Sequence, residues 1–213
     1  MPACTPARLP SRTAVLTLLP ALFAASVAAA PPRAAETSER EAERAPVQRE
    51  AIAQQREAMA ALARLDGEWR GTATATLPSG EQHTMVQTER VGPLLGGTLR
   101  LIEGRGYAAD GTPVFHAVAV LSYDVARQAY SMRSYAAGQA GDFPFRATAD
   151  GFEWEIPSPA GTTRYRARVT DGHWEQSGER LVEGQPPQRM FEMQLTRIGD
   201  TAWPDGGAVP PTP

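Results

Sequence analysis

No lysine occurs in this chain. All 21 of its basic residues are arginine, set against 24 acids, for a net charge of −3 over 213 residues. The absence excludes Schiff-base chemistry and a lysine-dependent phosphate loop. A mildly acidic chain without a basic block also lacks the clustered positive surface that nucleic acid requires, so no nucleic-acid partner is expected. Cysteine is nearly missing too, Cys4 being the single one, and aromatic residues make up only 7%. The length suits one moderate domain with tails and rules out a large multidomain enzyme.

Cys4 is expected to leave with an export signal. Arg8 and Arg12 precede an apolar run from Ala14 to Val27, and small residues follow up to Ala30. This is the order of a secretory signal peptide, and the run falls short of the roughly 20 residues that span a bilayer. Residues 1–29 therefore read as a signal peptide, and the mature chain as periplasmic or secreted, without a thiol and with a charge of −5. Packing must then hold the fold without disulfides. Residues 30–46, rich in Ala, Glu, Arg and Pro, read as a disordered linker. Over 47–65, Ile52, Met59 and Leu62 follow helical spacing, and Asp66-Gly67 stops the helix. Residues 199–213, dominated by proline and glycine, read as a disordered tail.

Between 66 and 198 the pattern changes to period two, in about ten short segments with no helix-length stretch among them. Asp150-Gly151 and Asp171-Gly172 are hairpin signals. The expected fold is all-β: an antiparallel up-and-down barrel of about ten strands with one N-terminal helix. A two-sheet sandwich is the alternative. Closure removes edges that would otherwise pair with other chains, and such a barrel is either filled by side chains or holds a small ligand.

Leu65-Asp66-Gly67-Glu68-Trp69 places Gly-x-Trp where the helix meets the first strand. Here the chain resembles the calycin superfamily, the lipocalins and their relatives. The resemblance implies that Trp69 closes one barrel end and that Arg197, on the last strand, packs over its ring. Thr112-Pro113-Val114-Phe115, Ser122-Tyr123-Asp124, Arg133-Ser134-Tyr135, Gly141-Asp142-Phe143 and Phe191-Glu192-Met193 further resemble a family of exported bacterial lipocalin-like domains of unknown function. Some small calycin barrels bind haem through one histidine near the C-terminus, and share the opening matched by Gly67-Glu68-Trp69-Arg70-Gly71. No histidine follows His173, so the pattern breaks at that ligand and no cofactor is expected.

Alternation assigns shared faces to Phe115, Ala117, Ala119 and Leu121, to Phe152, Trp154 and Ile156, and to Phe191, Met193 and Leu195. Small residues at Ala73, Ala75, Ala117 and Ala119 favour an interior left open. Phe115, Trp154 and Met193 are thus candidate ligand contacts. Arg133 and Tyr135 share a strand face, and fatty-acid carriers among the calycins use an Arg-x-Tyr pair to receive a carboxylate, so these two are the candidate polar anchors. Arg164, Arg166 and Arg168 also share a face, read as solvated, with an anionic partner as the lesser reading. His83, His116 and His173 fit no zinc spacing, so no metal site is expected. Neither a Gly-x-Ser-x-Gly elbow nor a surviving cysteine nucleophile supports catalysis, and Glu89, Glu103 and Glu192 are carboxylates that spacing alone does not pair. The expectation is an exported barrel binding a small apolar or amphipathic molecule. The rivals are a filled envelope module and, less favoured, a haem carrier or a hydrolase.

Overall fold

The computed structural model describes residues 33–77 and 79–207; the expected signal peptide and residues 208–213 of the tail lie outside them. Contacts divide the chain into residues 1–40 and 41–213, and the barrel lies wholly in the second unit. A helix, α1 (Arg33–Ala60), is followed by a single 3-10 turn at Ala63–Leu65. Ten strands then run β1 (Gly67–Thr76), β2 (Gln82–Leu94), β3 (Leu99–Tyr107), β4 (Pro113–Asp124) and β5 (Ala129–Ala136). They continue β6 (Gln139–Ala147), β7 (Gly151–Ser158), β8 (Gly161–Thr170), β9 (His173–Leu181) and β10 (Gln188–Gly199). Each strand pairs antiparallel with its sequence neighbour, and β10 returns to β1, closing the barrel.

Hairpin chemistry sets this order. At Asp171-Gly172 both residues have positive φ, the geometry a two-residue turn needs to match strand twist. Ala137-Gly138 adopts the same left-handed pair, so β6 begins directly after it at Gln139.

Three apolar residues from the lead-in segment, Met59, Leu62 and Leu65, are fully buried and share a core with Trp69, Val91, Leu121 and Trp174. They plug one barrel end. The last helical carbonyls accept a backbone N–H three residues on, from Ala61 and Leu62, and gain a second donor from the barrel: Tyr130 Oη donates to Ala58 O at 2.7 Å, and the buried Arg100 guanidinium donates to Met59 O. Arg100 also forms a two-pronged pair with Asp66, at 2.7 and 2.9 Å.

Two readings of the flanks change. The helix starts at Arg33 and runs through Pro46, so it takes in residues read as linker. Their composition of Ala, Glu and Arg satisfies helix propensity as well as disorder, and composition alone does not separate the two. The first part of the tail is also held: the Arg90 guanidinium lies 4.5 Å from the Trp203 ring, and a Cβ at Gly92 would sit 1.9 Å from Trp203 O. Only glycine lets the tail backbone pass this close to β2.

Candidate functional site

Above the plug the barrel encloses a cavity of about 540 Å³. Strand alternation decides its lining. Its two walls differ. From β1 to β5 half of the lining residues are small: Ala75, Gly104, Ala117, Ala119, Ser134 and Ala136. From β6 to β10 half are aromatic: Phe143, Phe152, Trp154, Tyr165, Trp174 and Phe191. Trp154 and Tyr165 stack face to face with centroids 4.2 Å apart, while Phe143 and Phe191 meet them edge-on. Small residues on one wall leave the space, and large rings on the other shape it.

The carboxyl in the described lining is on the β1–β5 wall. Gln87 and Glu89 point inward from β2, and Gln87 Nε2 donates to Glu89 Oε1 at 2.8 Å. Gly104 is the register partner of Glu89 on β3, and a Cβ there would lie 2.8 Å from Oε1 and 2.9 Å from Oε2. The glycine therefore makes room for the carboxyl. Burial pushes the Glu89 pKa up to about 7, against the opposing hydrogen bond from Gln87, and the charge of Glu103 adds to the rise. Glu103 sits on the outer face of the neighbouring strand with opposite behaviour. Burial alone would raise it, but hydrogen bonds from Arg105, Arg90 and His116 pull it down to about 2. Two carboxyls on adjacent strands are thus driven apart by the barrel wall between them.

Of the expected contacts, Phe115, Trp154 and Met193 line the cavity. Arg133 and Tyr135 do not. On β5 the inward side chains are Met132, Ser134 and Ala136, so the opposite parity turns Arg133 and Tyr135 outward. There Arg133 pairs with Asp142 at 2.6 Å and donates to Tyr135 Oη at 3.0 Å, all exposed. Arg133→Ala is accordingly expected to leave stability nearly unchanged and binding in the cavity unchanged, as read by denaturant melts and probe titration.

Trp69 is buried at the cavity floor, where its Nε1 donates to Leu65 O at 2.8 Å and its ring meets Trp174 edge-on. Arg197 stands opposite Trp69 in the β1–β10 register, but its guanidinium donates to Asp66 O and pairs with Asp200. The tryptophan with an arginine over its ring is Trp203, under Arg90; Arg133 likewise lies over Tyr135. Arg164, Arg166 and Arg168 face solvent and pair with Glu155, with Glu153 and Glu179, and with Asp150, which neutralises the row as an anion site. None of the three histidines lines the cavity; His83 and His116 lie outside, beside Glu81 and Glu103. Among the described residues no cluster of three or more metal-ligating side chains forms, and no helix is long and apolar enough to cross a membrane.

No protein-family model and no curated protein matches this chain. Among solved structures it is similar to the crystal structure of Rv2717c from M. tuberculosis, with 19% identity and a TM-score of 0.51. The match covers 66% of this chain and 97% of that one. At that identity the likeness concerns the barrel fold alone.

Proposed function

We propose that the protein is an exported calycin-like barrel that binds a small, largely apolar molecule in its interior. The observation carrying this reading is the cavity of about 540 Å³, with aromatic side chains concentrated on β6–β10 and small ones on β1–β5. That volume lies in the range of small-molecule sites, whose linings are mostly apolar with a few placed polar groups. A filled barrel would instead bring large side chains to Ala117, Ala119 and Gly104. The Gly-x-Trp opening with Trp69 buried at the floor supports the calycin assignment, and the leading apolar run supports export.

Native mass spectrometry of the protein purified from its own cell envelope tests the reading. A reproducible added mass, released by organic extraction, is expected; a protein that stays empty and takes up no aromatic probe overturns it. Ala117→Phe puts a ring into the open half of the cavity. That variant is expected to melt within a few degrees of the wild type and to lose at least about tenfold in affinity for the extracted molecule, roughly 1.4 kcal/mol.

A further inference from the structure

The cavity lining carries ionisable groups of acidic character alone. Among the described residues that line it there is no arginine and no histidine, and its ionisable side chains are Glu89 and the Tyr165 phenol. Gln87, itself buried, spends its amide N–H on one carboxyl oxygen, and no other described side chain hydrogen-bonds Glu89. Gly104 keeps clear the space against both oxygens. In the closed ring β2 stands across from β7, and β3 across from β8. The carboxyl on β2 and the stacked Trp154–Tyr165 pair therefore line opposite sides of the same cavity. An acid with no cation beside it, in an otherwise uncharged lining, makes an environment that favours positive charge and disfavours negative charge.

Resting on the ligand-binding reading above, we infer that the site selects flat aromatic molecules bearing a protonated nitrogen, such as an amine or amidine, with the ring among the apolar side chains of the lining and the N–H groups donated to Glu89. A carboxylate ligand is the opposite of what this lining accepts, since it would meet Glu89 with no cation to pair with. The elements packed on β2 bring no competing charge into the cavity. From β1 come Trp69, Gly71 and Ala73, and from β3 Ile102, Gly104 and Gly106, while Arg100 at the closed end is paired with Asp66. Glu103, on the outer side of β3, is occupied by Arg90, Arg105 and His116. Raising the pH from 5 to 8 ionises Glu89 while an aliphatic amine stays protonated, so affinity for the cation should rise over that interval.

Three probes of one size separate the outcomes: 2-naphthylmethylamine, 2-methylnaphthalene and 2-naphthoic acid, titrated against the full chain by calorimetry at pH 5 and pH 8. At pH 8 the amine is expected to bind at least tenfold tighter than the hydrocarbon, and the acid weakest of the three. The amine should gain about tenfold between pH 5 and pH 8, while the hydrocarbon changes little. Glu89→Gln should remove the amine's advantage and leave the hydrocarbon's affinity. Equal binding of all three, or preference for the acid, overturns the charge assignment and leaves the apolar cavity standing. Failure of every probe to bind overturns the cavity reading itself. The wild-type pH series decides the matter even if the variant folds poorly.

Discussion

Glu89→Gln is expected to change stability little at pH 4.5 and to stabilise the protein by up to about 3 kcal/mol at pH 8. The carboxyl titrates near 4.5 in the unfolded chain and at about 7 in the barrel. Below the first value both states hold the proton, and Glu89 adds no pH dependence. Between the two, the folded protein binds a proton that the unfolded chain has released, so wild-type stability falls as pH rises. Above about 7 the penalty is complete, because the folded protein must then keep a carboxylate in an apolar cavity. Glutamine keeps the shape and the contact with Gln87 but never ionises. Urea denaturation of both proteins from pH 4.5 to 8 reads the difference directly, and a constant offset would show that Glu89 ionises as it does in water. Glu103 provides the control of opposite sign. Its lowered pKa contributes stability above about 4.5 that is lost as pH falls toward 2, so Glu103→Gln should hurt most at neutral pH.

What the sequence made legible follows from parity. Phe115, Ala117 and Ala119 alternate with outward positions on one strand, as do Phe152, Trp154 and Ile156 on another, so the lining can be read wherever inward residues are apolar. On β2 the polarity is inverted. Gln87 and Glu89 are inside while Val86 is exposed, so a hydrophobic pattern assigns this strand the wrong face. The available signal was indirect: Gln87 and Glu89 share parity with the buried Val91, and the next strand offers Gly104 and Gly106 where side chains would collide with them. Arg133 and Tyr135 show the reverse error. Their chemistry suggested an anchor, yet Met132 and Ser134 take the inward positions of that strand. The placement of Trp203 was not written in local composition either, because prolines and glycines mask an aromatic residue whose partner, Arg90, is distant in sequence.

Trp69→Phe is expected to cost about 2–3 kcal/mol, and Trp174→Phe less than about 1 kcal/mol, although both rings are almost fully buried and touch each other. Each substitution removes similar volume at the cavity floor. Their polar ends differ. Trp69 Nε1 donates to Leu65 O, so phenylalanine there leaves a carbonyl without its donor at the junction that holds the plug. Trp174 Nε1 is buried without a partner among the described residues, a state that already costs about 1–3 kcal/mol, and phenylalanine relieves it. The relief offsets most of the packing lost around a shorter ring. Denaturant melts of the two variants at pH 5, where Glu89 is neutral in the folded protein, isolate this comparison from ionisation in the cavity. Equal losses would mean that ring volume alone sets the stability of the floor. A larger loss at Trp69 would mean that its hydrogen bond ties the lead-in segment, with Met59 and Leu62, to the barrel end on which the cavity rests.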